Sequence, residues 1–151
     1  MVQELNIRRA CPSDMSDIVS MCAKHAAHEG AIYDPAHKLE RLSKAIFGDV
    51  KLICLVACSL EKVVGYATCI PQYSTWLARE YLYMDCLYVE TDWRGKGVGQ
   101  ELMKSVAAEA RRLGCFEVQW QTPDFNHEAI RFYDAMDGTF RLGKCRYTWH
   151  V

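Results

Sequence analysis

Hydrophobic and polar positions along this chain switch between a two-residue and a roughly 3.6-residue rhythm, the periods of strand and helix. Leu5–Arg9 alternates as a short first strand. Pro12-Ser13-Asp14 is a helix-start signal, and Ile18, Val19, Met21, Cys22 and Ala26 follow at helical spacing. His37–Phe47 reads as a second helix, with Leu39, Leu42, Ala45 and Ile46 apolar, and Gly48-Asp49 stops it. Lys51–Ser59 and Lys62–Pro71 read as strands joined by a short polar turn, hence a hairpin. Glu80–Val89 is a third β-prone run, carrying Tyr81, Tyr83, Leu87, Tyr88 and Val89. Gly97–Leu113 is a long amphipathic helix with Val98, Leu102, Val106, Ala110 and Leu113 on one stripe, and Gly114 caps its end. Cys115–Gln121 reads as a strand, His127–Met136 as a helix and Arg141–His150 as a final strand.

The strand–helix–strand run over 80–121 requires a crossover between parallel strands, whereas the hairpin before it is antiparallel. The fold class is therefore α/β or α+β with a mixed, mostly antiparallel sheet. With 151 residues the chain is expected to be one domain. Half of its residues are hydrophobic and 25% are charged, which excludes a disordered tail, a collagen-like fibre and a membrane channel. The longest apolar run, Leu52–Cys58, is far short of the roughly 20 residues of a spanning helix. With 18 basic against 19 acidic residues, no global field draws nucleic acid or an anionic membrane, and neither partner is expected. The eight cysteines form no C-x-x-C pair and no zinc-knuckle spacing, so they read as reduced thiols with no metal site. The first residues carry no basic segment followed by an apolar stretch, and the reading is cytoplasmic.

The most informative stretch is Asp92-Trp93-Arg94-Gly95-Lys96-Gly97-Val98-Gly99-Gln100, which follows a strand and opens a helix. Alternating glycines let backbone N–H groups approach a ligand, the helix N-terminus favours an anion, and Arg94 and Lys96 add positive charge. This fits a pyrophosphate cradle; the plainer reading is a glycine-rich helix start with solvated basic neighbours. The stretch lacks the terminal Lys-Ser/Thr of a P-loop and follows the third strand, not the first, which disfavours nucleotide binding.

Arg94-Gly95-Lys96-Gly97-Val98-Gly99 resembles the Q/R-x-x-G-x-G/A acetyl-CoA signature of the GNAT superfamily of N-acetyltransferases. Downstream, Asn126-His127-Glu128-Ala129-Ile130-Arg131-Phe132-Tyr133 resembles that superfamily's N-x-x-A-x-x-F-Y helix. In the flanks, Tyr73-Ser74-Thr75-Trp76, Tyr83–Val89 running into Asp92-Trp93-Arg94-Gly95, and His25-Ala26-Ala27-His28-Glu29 resemble the spermidine/spermine and thialysine acetyltransferases. The resemblance implies a GNAT-like domain over 1–151, with a parallel strand pair splayed at the acetyl-CoA site. It implies an N-acetyltransferase with acetyl-CoA as cosubstrate, a small-molecule amine as partner, and a homodimer. It places Leu87, Tyr88 and Val89 at the acetyl and pantetheine groups, Arg94, Gly95, Lys96, Gly97, Val98, Gly99 and Gln100 at the pyrophosphate, and Asn126, His127, Glu128 and Ala129 at the CoA arm.

Asp85 can be read from the residues alone. Aspartate is disfavoured in a strand and costly to bury, and an apolar site would raise its pKa toward that of a general base. It is expected on the face of Tyr81, Tyr83, Leu87 and Val89; the plainer reading is a carboxylate that hydrogen-bonds the backbone at a splayed strand. Phe132 and Tyr133 are adjacent on a helix and point about 100° apart, so one is free to face a site. The resemblance makes Tyr133 the general acid for the departing thiolate. Trp76, His28 and Glu29 are candidates for the amine pocket, Trp76 by a cation–π face and Glu29 by charge, or else loop packing and a solvated helix end. Gln119, Trp120 and Gln121 complete the acceptor-side set. Ser74 and Cys86 stand where the polyamine enzymes carry carboxylates, which favours a diamine or lysine-like amine over spermine. The alternatives are a protein or peptide acetyltransferase, or a CoA-binding sensor without turnover.

Overall fold

The structure is a computed structural model and describes residues 4–136 and 143–151. The chain divides into two compact units, Met1–Gln121 and Thr122–Val151. The first holds strands β1 (Leu5–Arg9), β2 (Ile53–Ser59), β3 (Lys62–Ser74), β4 (Arg79–Val89) and β5 (Val118–Trp120) in one sheet of that order. Its helices are α1 (Met15–Glu29), α2 (Lys38–Phe47) and α3 (Val98–Arg112); the second unit holds α4 (His127–Asp134). The first four strands pair antiparallel, and β4 and β5 pair parallel.

Helices on both faces of the sheet explain the unbroken apolar run of β2, all seven residues of which are buried. On one face Cys54, Val56, Cys58, Tyr66 and Tyr88 pack against Met15, Ile18 and Met21 of α1. On the other lies the buried stripe of α3, Val98, Leu102, Met103, Val106 and Ala110. At Gly65 an added Cβ would stand 2.9 Å from the Tyr88 carbonyl oxygen and 3.3 Å from Leu102 Cδ1, so glycine permits the close approach of helix to sheet. Burying a side chain such as Leu102 contributes about 1.5–3 kcal/mol.

β4 carries the irregularity that shapes the unit. Thr68 pairs with Cys86 and Cys69 pairs with Met84, so Asp85 is an extra residue with no partner on β3. This β-bulge resets the alternation. Tyr81 and Tyr83 therefore continue on the face of Cys86 and Tyr88, not on that of Leu87 and Val89 as a regular strand requires. The same bulge marks where β5 leaves β4: they pair only at Leu82–Val118, Tyr83–Gln119 and Met84–Trp120. Beyond Met84 the β5-facing edge of β4 has no strand beside it among the described residues.

α1 is entered through a single 3-10 turn, Pro12–Asp14, in which the Asp14 N–H donates to the Cys11 carbonyl and the Met15 N–H to that of Pro12. The Asp14 carboxylate accepts from the Cys11 amide at 2.8 Å and is gripped by both guanidinium nitrogens of Arg8, at 2.7 and 3.0 Å. The Arg8 hydrogen bond holds the Asp14 pKa down at about 2, against burial, which pulls upward.

The sequence-predicted elements through α4 are all present, with ends shifted by a few residues. β5 keeps only Val118–Trp120 of the expected Cys115–Gln121: its pairing ends at Trp120, opposite Met84 before the bulge, and at the other end Phe116 and Glu117 bond Glu80 and Leu82 of β4 without belonging to the strand. The expected final strand fails: Arg141 and Leu142 lie outside the described residues, and Gly143–His150 is exposed and takes no strand pairing. Alternation of Cys145, Tyr147 and Trp149 is a strand pattern, but a strand forms only where a neighbour takes up its backbone groups. All eight cysteines are free thiols.

Candidate active site

The N-terminus of α3 is left open by the chain. Its N-cap is Gly97, and no side chain caps the helix. Glu101 N–H is the first to reach back, to the Gly97 carbonyl at 3.1 Å, so the amides of Val98, Gly99 and Gln100 have no intrahelical acceptor. Gly95 and Gly97 hold φ of 71° and 83°, the left-handed region that side chains resist. An added Cβ at either would meet no atom within 4 Å, so their backbone shape, not crowding by the protein, requires glycine. Lys96 lies over the Trp93 ring at 5.0 Å. Arg94 donates from Nε to the Val89 carbonyl at 3.0 Å and lies 5.5 Å from the Tyr88 ring centroid. This arrangement suits a phosphate-bearing ligand: open amides, the positive end of a fifteen-residue helix, and two cations.

The parted edge of β4 leads into this terminus. Leu87 and Val89 are half-buried and Tyr88 is 6% exposed, all three paired to β3 on one side and, among the described residues, without a strand on the other. Such an edge offers main-chain donors and acceptors to an extended ligand. Asp85 stands at the start of this parted segment. It is exposed, and the apolar enclosure expected around it is absent, because a bulge residue drops out of the ladder. Cys86 Sγ donates to its carboxylate at 3.7 Å. Burial, with the nearby Asp85 charge, pushes the Cys86 thiol up to about 12, so almost none is thiolate at neutral pH.

The last turn of α1 supplies a second polar group. Glu29 is half-buried and its Oε1 lies at hydrogen-bond distance, 3.1 Å, from His25 Nε2, one helical turn earlier, while His28 is exposed. The His25 ring packs on Tyr88 with centroids 5.5 Å apart. His25 was not singled out as a site residue from the sequence; its four-residue spacing from Glu29 was the available signal. Trp76 lies between β3 and β4 and is 97% exposed, so it shares no buried pocket with Glu29. Gln119 and Trp120 are half-buried on β5, where Gln119 Nε2 donates to Glu117 Oε1 at 2.6 Å, and Gln121 is exposed just beyond.

In the second unit, Asn126 caps α4, its Oδ1 accepting from the Ala129 amide at 3.3 Å. His127 and Glu128 are exposed in the first turn and Ala129 is half-buried. Phe132 and Tyr133 are both half-buried and meet edge to face at 5.2 Å.

Residues 16–137 match the sequence profile of the acetyltransferase (GNAT) family. The chain is 31% identical over 139 residues to thialysine N-epsilon-acetyltransferase of Bos taurus, covering 86% of this chain and 81% of that protein. It is 32% identical over 136 residues to the enzyme of that name from Mus musculus, covering 84% and 79%. Among solved structures, a possible acetyltransferase from Clostridium difficile 630 shares the fold with a TM-score of 0.83 at 19% identity, covering 97% of each chain.

Proposed function

The chain belongs to the acetyltransferase (GNAT) family and is an N-acetyltransferase; from that premise we propose that it acetylates a primary amine of a small diamine, polyamine or lysine-like amino acid, using acetyl-CoA. One observation carries the reading: the strand edge parted after Asp85 runs directly into an uncapped helix N-terminus, and Arg94 ties the two together at Val89. An extended thiol arm ending in a pyrophosphate matches that sequence of features.

Acetyl-CoA supplies the acetyl group as an activated thioester. The backbone of Leu87, Tyr88 and Val89 aligns that end against β4, and an N–H of Leu87 or Val89 stabilises negative charge developing on the carbonyl oxygen. The amides from Gly95 to Gln100, with Arg94 and Lys96, take the pyrophosphate, and Asn126 to Ala129 contact the CoA arm. An alkylammonium with a pKa near 10.4 is only about one part in a thousand neutral at pH 7, so its proton must be taken before attack. Asp85, exposed at the bulge, does this through water and holds the ammonium by charge beforehand. Tyr133 protonates the departing thiolate. Attack is direct and needs no covalent enzyme intermediate, so Cys86, whose thiol burial keeps protonated, is a bystander. Glu29, with His28, Gln119, Trp120 and Gln121, forms the acceptor side. Ser74 and Cys86 leave it short of carboxylates, so a short diamine or lysine analogue suits it better than spermine. The active form is a homodimer, which light scattering at micromolar protein tests.

The deciding experiment measures acetyl-CoA consumption against thialysine, ornithine, 1,3-diaminopropane, spermine and a lysine-containing peptide. Turnover of the small amines with kcat/KM at least equal to that for spermine supports the proposal. A tenfold preference for spermine, turnover of the peptide alone, or binding without turnover overturns it.

A further inference from the structure

We infer that His25 is a positioning residue of the acceptor site: it holds the Glu29 carboxylate in the orientation that receives the amine. This rests on the reading of Glu29 as the acceptor's counter-charge.

Glu29 is the last residue of α1, where the helix dipole presents its negative end. A carboxylate there is repelled by the helix's own carbonyl groups, and its three side-chain torsions favour swinging out to water. The structure shows the reverse. Glu29 Oε1 is held at 3.1 Å by His25 Nε2, with the two side chains only 13% and 25% exposed for His25 and Glu29 respectively. The imidazole is itself pinned. Its ring lies 5.5 Å from that of Tyr88, a core residue, and the Arg94 guanidinium lies 5.5 Å from the same Tyr88 ring. Glu29 is thus linked, through the tilted contact of the His25 and Tyr88 rings, to the strand and loop proposed to hold acetyl-CoA.

The pair does little for stability, since a side-chain contact one turn apart on a helix contributes only slightly. Its effect is on geometry. One carboxylate oxygen is engaged by His25, and the other can face an ammonium. A carboxylate already ordered loses less side-chain freedom when an amine binds, which lowers the cost of recognition. Carboxylate and carbonyl ends together form a local negative pole at the end of α1, the chemistry that selects a cationic acceptor.

The test uses whichever of thialysine, ornithine and 1,3-diaminopropane the wild-type enzyme turns over best. His25→Phe keeps a ring against Tyr88 and removes the hydrogen bond; His25→Gln supplies a donor without the ring. His25→Phe should raise the amine KM roughly 5–30-fold, the range for a hydrogen bond to a charged group. Its kcat, acetyl-CoA KM and melting temperature should stay near wild type, and His25→Gln should recover part of the amine KM. Glu29→Gln should raise the amine KM at least as far, and adding His25→Phe to it should change nothing more. A His25→Phe enzyme with unchanged amine KM, beside a Glu29→Gln enzyme with a raised one, overturns the positioning role alone. Equal changes in both KM values, or a lowered melting temperature, make His25 a structural residue. Glu29→Gln at wild-type KM, or no turnover of any of the three amines, removes the acceptor reading and the proposal with it.

Discussion

α1 and α3 are both fifteen residues long and pack on opposite faces of one sheet, yet their N-termini are treated in opposite ways. Neither helix carries a capping side chain, but at α1 a 3-10 turn closes the entry: Pro12 has no N–H to satisfy, the Asp14 and Met15 N–H groups donate to the Cys11 and Pro12 carbonyls, the Asp14 carboxylate takes the Cys11 amide, and Arg8 neutralises Asp14. At α3 the chain supplies a glycine N-cap in the left-handed region, no capping side chain, and two cations nearby. A helix end that serves the fold is satisfied from within. One left with open amides beside two cations is suited to an anion that the chain does not supply. On the proposed reading the first is a structural terminus and the second a binding one.

The largest test strikes the open end. Gly97→Glu puts a side chain and a negative charge before the α3 amides and forces a left-handed residue to bear a Cβ. Acetyl-CoA affinity by calorimetry should fall beyond detection, about 100-fold or more, while circular dichroism reports a folded protein. Affinity unchanged in that variant would erase the distinction between the two termini.

Binding at α3 and chemistry elsewhere should also come apart. Tyr133→Phe removes one hydroxyl and keeps the ring against Phe132. As a general acid, its loss should lower kcat roughly 10–1000-fold with acetyl-CoA affinity nearly constant. A wild-type kcat in this variant returns Tyr133 to packing.

The closed end answers to stability alone. The Asp14 pKa is lowered from 3.8 to about 2, which corresponds to about 2 kcal/mol favouring the folded state at neutral pH. A depressed carboxyl contributes fully above its unfolded value and loses that contribution as pH falls through the folded value. Asp14→Asn should therefore destabilise by about 1–2 kcal/mol in urea at pH 7. The gap from wild type should narrow between about pH 4 and pH 2, while acetyl-CoA affinity stays unchanged. A gap constant down to pH 2 would show that Asp14 acts through shape, not charge.

Much of this contrast was legible before any coordinates. β1 matches its expected span, and the glycine run at 95–99 marks the start of α3. The bulge was not legible. Tyr81, Tyr83, Leu87 and Val89 alternate without a break, and nothing in side-chain type tells that Asp85 has no partner on β3. Register belongs to two strands, so one strand's pattern cannot reveal a skipped residue. That missed bulge is why Asp85 was expected in an apolar enclosure and is found exposed. The expected strand at 141–150 failed for a related reason: alternation records a preference, whereas pairing needs a partner edge. His25 was overlooked because its role depends on Tyr88, which is remote in sequence and adjacent only after folding.

The smallest effect offers the finest comparison, because each helix carries one acid in its first turn, Asp17 in α1 and Glu101 in α3. Without a ligand, either anion favours its helix end by charge. At α3 the same charge opposes an incoming pyrophosphate. Glu101 is 47% exposed and paired to Lys104 at 2.7 Å, so solvent and its partner mute most of that repulsion. Glu101→Gln should tighten acetyl-CoA binding only about two- to threefold at low ionic strength, with the gain vanishing in roughly 0.5 M salt. Asp17→Asn should leave affinity unmoved at every salt concentration, because the α1 end receives no anion. Equal responses of the two variants would mean that a general change in net charge, not a site at α3, governs binding. A loss of affinity in Glu101→Gln would place its carboxylate among the ligand's contacts and move the pyrophosphate away from the helix axis.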